Sequence, residues 1–323
     1  MTRAATTQRL VRFPQIDGEW WPVAGNPMDH KYATADQEPV DFGIWQAADG
    51  TWQIWSCLRR TTAGRDQGGK GRVFYRWEGQ SLFDTDWKPM GIAQEARVDL
   101  GETAGGQQAP HVIRVGDTYH MFYGDWENIC HSVSRDGKHF ERVIGSDGTA
   151  KVFSEGPGFN TRDVCMLLHD GLWYCYYTCH PNNQGMVMVR TSRDLESWSD
   201  SKVVAFGGQA GTSLGSMECP HVVKLGEDEF YLLTTQSYGD FSDGQIRKRG
   251  KPQTSVYGSS DPTYFGINQD AKYWLGHLPV AAPELVFYQG QWYLAALNEG
   301  ALDGIRIARL KWVEAQPSPR TVG

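Results

Sequence analysis

Five times along the chain a short run of aromatic and aliphatic residues follows a glycine or acidic turn. The runs are Gly50-Thr51-Trp52-Gln53-Ile54-Trp55, Gly116-Asp117-Thr118-Tyr119-His120-Met121-Phe122-Tyr123, Gly171-Leu172-Trp173-Tyr174-Cys175-Tyr176-Tyr177, Glu229-Phe230-Tyr231-Leu232-Leu233 and Gly290-Gln291-Trp292-Tyr293-Leu294-Ala295-Ala296-Leu297. Rings and β-branched residues in short alternating stretches suit a pleated, half-buried surface, so each run predicts a strand. Each is preceded by a shorter strand that opens on a polar or Pro-containing step: Pro39-Val40-Asp41-Phe42-Gly43, Ala109-Pro110-His111-Val112, Arg162-Asp163-Val164, Glu218-Cys219-Pro220-His221-Val222 and Ala282-Pro283-Glu284-Leu285-Val286. Most are followed by an outer hairpin of shared flavour, such as Ser134-Arg135-Asp136-Gly137, Ser192-Arg193-Asp194-Leu195 and Ser259-Ser260-Asp261-Pro262.

A unit recurring every ~50–70 residues is on the scale of one four-stranded propeller blade. No long amphipathic helical pattern interrupts the strands, which predicts an all-β chain. A β-sandwich would not explain a repeated three-part unit. A closed ring does, because each sheet covers its apolar faces only against its neighbours. The prediction is a single five-bladed β-propeller over residues 1–323, with blades near 35–95, 105–150, 158–205, 214–270 and 278–313, and with residues 10–25 closing the ring. Residues 239–277 read as the longest irregular insertion, a lid or specificity loop over one face. The polar stretch Glu314–Pro319 reads as a frayed end.

Composition narrows the partners. Charged residues make up 21% of the chain and the formal net charge is -7, with basic residues dispersed except at Arg247, Lys248, Arg249 and Lys251. Nucleic acid is therefore not an expected partner. No apolar run approaches the ~20 residues of a membrane span, so no membrane partner is expected either. The first residues lack the apolar centre of a signal peptide, and Cys165, Cys175, Cys179 and Cys219 sit inside strand-like segments without metal-type spacing. Both features predict buried free thiols and a cytoplasmic location. The 13 Trp, 14 Tyr and 13 Phe mostly fill sheet cores, leaving a minority to stack on a ligand.

The polar residues of the first strands carry the chemistry. In order, these strands present Asp41, His111, Asp163, Glu218 with His221, and Glu284, read as equivalent positions that converge on the ring axis. Taken singly, each has a structural explanation: an Asx turn for Asp41, a pair with Arg162 for Asp163, backbone amides for Glu218, channel packing for His111 and His221. Taken together, several carboxylates near one axis raise one another's pKa and disfavour a purely structural role. Asp41, Asp163 and Glu218 are the candidate catalytic set. Two carboxyls across a glycosidic bond serve as acid and as nucleophile or base, and a third grips hydroxyls and helps keep the acid protonated. Arg162, His111, His221, Glu284, Trp45 and Trp126 are candidate substrate contacts, with Trp173 as a further rim tryptophan. No metal ligands are assigned and no cofactor is expected, although a structural cation would fit the central channel.

At these residues the sequence resembles the five-bladed glycoside hydrolases of families 32 and 43. Ser216-Met217-Glu218-Cys219-Pro220 resembles the Glu-Cys-Pro motif carrying the acid/base in family 32, and Thr161-Arg162-Asp163 resembles its Arg-Asp motif. The resemblance implies Glu218 as proton donor, Asp163 as transition-state stabiliser and Arg162 as a substrate contact. Pro39-Val40-Asp41-Phe42-Gly43 occupies the place of the nucleophile strand without the Asn-Asp-Pro-Asn sequence of fructan-cleaving enzymes. Ala109-Pro110-His111 and Ala282-Pro283-Glu284 resemble family 43, whose members invert configuration on arabinose- or xylose-containing glycans. The implied activity is hydrolysis of a terminal, furanoside-type sugar from a small glycoside or oligosaccharide. Retention and inversion stay open, since carboxyl separations of about 5–5.5 Å and roughly 6.5–9.5 Å distinguish them. Two alternatives stand beside this one. A glycoside phosphorylase would need Arg or Lys beside the acid, where only Arg162 is evident in the sequence. A non-catalytic sugar-binding propeller would account for the altered nucleophile strand.

Overall fold

The structure, a computed structural model, describes residues 11–236, 253–297 and 302–315. Five antiparallel sheets follow one another along the chain and form a five-bladed propeller. Blade 1 comprises Glu38–Gln46, Trp52–Arg59, Val73–Gly79 and Lys88–Gln94. Blade 2 comprises Gln108–Val115, Thr118–Gly124 and Asn128–Ser134, and its outer strand is split between Glu141–Arg142 and Lys151–Ser154. Blade 3 comprises Arg162–His169, Leu172–Cys179, Met186–Ser192 and Lys202–Ala205, and blade 4 Glu218–Gly226, Glu229–Gln236, Gln253–Ser259 and Trp274–Leu278. Blade 5 takes Ala281–Tyr288, Gln291–Leu297 and Gly304–Glu314 from one end of the chain. Its outer strand comes from the other, as Arg12–Ile16 and Trp21–Gly25 both pair with Gly304–Glu314.

The repeated sequence elements have local causes. Within the blades the aromatic run is the second strand, and its rings Trp55, Tyr119, Tyr123, Tyr176, Tyr177, Phe230 and Tyr231 are almost wholly buried between sheets. Asp170–Gly171 places both turn residues at positive φ (50° and 68°), the geometry of a two-residue hairpin whose twist matches its strands. The Ser-x-Asp signature is a turn. Asp136 Oδ1 accepts from Ser134 Oγ at 2.8 Å and from the backbone N–H groups of Lys138 and His139 at 2.7 and 2.9 Å. Asp194 repeats this with Ser192, Glu196 and Ser197.

The expected irregular insertion is smaller than residues 239–277. Gln253–Ser259 and Trp274–Leu278 are the two outer strands of blade 4, pairing in register Thr254↔Leu278 and Ser255↔His277, and residues 239–252 lie outside the described residues. The basic stretch at 247–251 and the residues after 315 also lie outside them. All six cysteines are unpaired and five are buried. Among the described residues no helix is long and apolar enough to cross a membrane.

First strands of neighbouring blades pack on one another around the whole ring. They approach so closely that a Cβ on Gly43 would lie 2.3 Å from the Pro110 carbonyl oxygen of the next blade.

Candidate active site

Each first strand carries a β-bulge at the same place: after Val40, Gln108, Arg162, Glu218 and Ala281, two residues face one residue of the second strand. The first bulged residue is left-handed in every blade, with φ of 31° at Asp41, 44° at Ala109, 58° at Asp163, 50° at Cys219 and 46° at Ala282. Bulges re-aim side chains, and a left-handed non-glycine residue costs about 1–3 kcal/mol, a strain that concentrates at functional sites. Five such residues in register turn one side chain per blade toward the axis.

This register corrects the equivalence expected from sequence. Asp41 and Asp163 occupy the same position in their blades, but Glu218 sits one residue earlier, where the other blades place Val40, Gln108, Arg162 and Ala281. The position equivalent to the two aspartates belongs in blade 4 to Cys219. His111, His221 and Glu284 lie two residues beyond the bulge position, level with Gly43 and Cys165.

Asp41, Asp163 and Glu218 nevertheless share one cleft of about 530 Å³, together with Arg59, Arg72, Trp126, Asn160, Arg162, His180 and Cys219. Arg162 ties the set together. Its Nη1 donates to Asp163 Oδ2 at 3.0 Å, and its Nη2 donates to Glu218 Oε1. Asp163 Oδ2 also accepts the Cys219 backbone N–H at 3.0 Å, while the buried Oδ1 has no protein partner. The Cys219 thiol donates to Asp41 Oδ1 at 3.2 Å, and Arg72 Nη1 stands 3.9 Å from Asp41 Oδ2. Ligand-type atoms of Asp41, Asp163 and Cys219 lie within 4.8 Å of one another. That trio is a poor metal site, because the thiol is engaged as a donor and two guanidinium groups already face the carboxylates.

Side-chain exposure separates the three carboxyls. Asp163 is 2% exposed, Asp41 18% and Glu218 26%, so Glu218 is the one most open to a bound molecule. Burial pushes the Asp41 carboxyl above its ordinary range, with Asp163 adding to the effect and Arg72 and Arg162 opposing it. Glu218 is also raised, first by burial, against the pull of Arg162. Burial raises the Cys219 thiol well above its usual value, which keeps its proton available for Asp41. His180 is lowered to about 4 by burial and by Arg162, so it is a neutral imidazole on the cleft wall at neutral pH. Its Nδ1 meets the Asn160 amide at 3.4 Å, and its Nε2 is buried without a protein partner.

Several expected substrate contacts lie elsewhere. Trp45 is 7% exposed, donates from Nε1 to the Gly137 carbonyl at 2.8 Å and packs on Trp55 and Phe140, so it is core. It is four residues past Asp41 along a strand, about 13 Å away at strand rise. Trp173 pairs with Leu168 and Ser192 at the end of blade 3 remote from Arg162. His111 and His221 do not line the cleft. They flank Glu284 in the channel, with Nδ1 atoms 3.7 and 3.4 Å from its Oε2, and His221 Nε2 accepts the Leu285 N–H at 3.2 Å. Burial lowers His111 to about 4. Glu284 lies below the cleft, beside a small void shared with Asp41 and Asp163. Trp126 and Arg162 do line the cleft.

Comparison with known proteins joins this geometry to a sequence family. Residues 125–285 match the model described as the glycosyl hydrolases family 32 N-terminal domain. The fold is shared with a thermostable family-43 glycoside hydrolase, at 16% identity and a TM-score of 0.61, covering 90% of this chain and 98% of that one. It is shared with an endo-arabinase from Bacteroides thetaiotaomicron, at 12% identity and a TM-score of 0.62, covering 91% and 99%. A β-fructofuranosidase from Bombyx mori also shares it, at 18% identity and a TM-score of 0.58, and this chain, covered over 86%, spans 60% of that protein's length. No curated protein matched. The chain is a five-bladed propeller of the fold these glycoside hydrolases share. Within that class, its sequence match is to family 32, through the stretch that holds Arg162, Asp163 and Glu218 and leaves Asp41 outside it.

Proposed function

We propose that the cleft hydrolyses a terminal, furanoside-type sugar from a small glycoside or oligosaccharide, with Glu218 as the acid. The observation that carries this reading is three carboxyls from three blades on one cleft, two of them held on the same guanidinium. Glu218, raised in pKa and the most exposed, donates its proton to the glycosidic oxygen as the bond breaks. Asp41 acts at the anomeric carbon as nucleophile, or on water as base. It needs to be ionised for either role, and Arg72, Arg162 and the Cys219 thiol favour that form. Asp163, buried and held on Arg162, adds negative charge beside the reacting centre as the transition-state stabiliser. Arg162 holds Asp163 and Glu218 on one guanidinium, and Asn160 and His180 complete the polar wall.

A panel of chromogenic fructosides, arabinosides, xylosides, galactosides and fucosides, assayed with the wild type and with Asp41→Asn, tests this. Turnover of a furanoside by the wild type, reduced by at least about a hundredfold in the variant, is expected. Tight glycan binding with no turnover of any member would make the protein a sugar-binding propeller instead.

A further inference from the structure

The cleft holds more positive charge than its carboxylates engage. Arg162 is paired with Asp163 and Glu218, and Arg59 with Glu38 at 2.7 Å. Arg72 differs. Its nearest carboxylate oxygen, Asp41 Oδ2, is 3.9 Å away, and its Nη1 reaches the Cys57 sulfur at 3.5 Å. The side chain is 13% exposed, so this is a largely desolvated guanidinium without a tight anionic partner, an arrangement that a structural residue would not favour. It is held in place by stacking, its guanidinium carbon 4.9 Å from the centroid of Trp126. Lys70 places Nζ 5.2 Å from the same ring and forms no ion pair among the described residues.

The loop carrying both cations is pinned by its backbone. Lys70 N–H donates to Ala104 O at 3.0 Å, Arg72 N–H to Gly105 O at 2.9 Å, and Thr61 N–H to Gly71 O at 2.9 Å. Arg72 also forms part of the wall of a second cavity, of about 450 Å³, lined by Tyr32, Arg65, Asp66 and Glu95 among others. A planar guanidinium fits two oxygens of a tetrahedral oxyanion, and a neighbouring ammonium adds a point charge.

We propose that Arg72 and Lys70, held on Trp126, bind a phosphate-class oxyanion beside Asp41. The oxyanion is either free phosphate, acting in place of water, or a phosphoryl group carried by the substrate. The inference rests on the reading of the cleft as a glycosidic site. With free phosphate, a phosphate oxygen bonds to the anomeric carbon and the glycosidic C–O bond breaks with its electron pair on the leaving oxygen. That oxygen takes the proton of Glu218, and the proton of hydrogen phosphate restores Glu218. With a phosphorylated sugar, water is the acceptor and the anion site sets specificity.

Calorimetric titration of inorganic phosphate into the wild type, Lys70→Gln and Arg72→Lys, with chloride as the control anion, tests the site. Saturable binding by the wild type, weakened about tenfold in each variant, is expected. Absence of saturable binding by the wild type, or equal binding by all three proteins, overturns the proposal. Product analysis then separates the sources: sugar 1-phosphate formed in phosphate buffer identifies the acceptor role. Faster cleavage of a phosphorylated than of a neutral glycoside, inhibited by phosphate, identifies the substrate role. Cleavage without phosphate binding sinks this inference and leaves the hydrolytic reading intact, whereas phosphate binding without cleavage of any glycoside does the reverse.

Discussion

Replacing Glu218 by Gln separates chemistry from architecture. The amide oxygen still accepts from Arg162 Nη2, while Arg162 stays paired with Asp163 at 3.0 Å, so the frame of the cleft survives. Two stability effects oppose one another. A charge-assisted hydrogen bond weakens, but a carboxyl whose ionisation is penalised by burial is removed. The net change should stay within about 1 kcal/mol, a shift of a few degrees in Tm. The rate effect is much larger, because a positioned general acid contributes roughly 10²–10⁴-fold, or about 2.7–5.4 kcal/mol of barrier. The assay compares two aryl glycosides of whichever sugar the wild type cleaves fastest, one with a dinitrophenol leaving group and one with an alkylphenol. Dinitrophenolate needs little protonation, so its release should fall far less than that of the alkylphenol. Equal losses for the two substrates would mean that the substitution damaged binding or folding, and undiminished cleavage of the alkylphenyl glycoside would remove Glu218 from the acid role.

The pH profile follows from the two raised carboxyls. Asp41 must be ionised and Glu218 protonated, so kcat/KM should be bell-shaped, with both limbs displaced upward from those of ordinary carboxyls. The same displacement means that the folded state holds protons the unfolded chain has released. Stability from these groups is therefore greatest below the ordinary carboxyl range and falls as pH rises through their folded values, which a Tm series across pH would register. Gly43→Ala would drive a Cβ to 2.3 Å from the Pro110 carbonyl, and should cost about 1–3 kcal/mol with a matching fall in Tm. A variant as stable as the wild type would show that the neighbouring blades are not in close contact there.

What the sequence revealed follows from how local each feature is. The second strands were legible because aromatic burial repeats on one short strand, and the outer hairpins because the Ser-x-Asp turn closes within five residues. The bulge was not legible: one extra residue shifts Glu218 out of step with Asp41 and Asp163 without leaving any mark in composition. Trp45 was misread for a related reason, since nearness along an extended strand is distance in space. Arg72, Asn160, His180 and the role of Cys219 were missed because their contacts join different strands and blades. For Arg72, the signal available was a Gly-flanked basic pair, Lys70-Gly71-Arg72, in the long connection between the second and third strands of blade 1.

The outer strand of the last blade also bears on biogenesis. Phe13 lies opposite Val313, so the first of these two strands must wait until the chain of all the intervening blades has been made before it finds its neighbour. Until then, four sheets have only one another, and the fifth lacks its rim. Completion of the ring thus follows the making of the blades between, and in a refolding reaction the seam between Arg12–Ile16 and Gly304–Glu314 should be among the last backbone pairings to gain protection from hydrogen exchange.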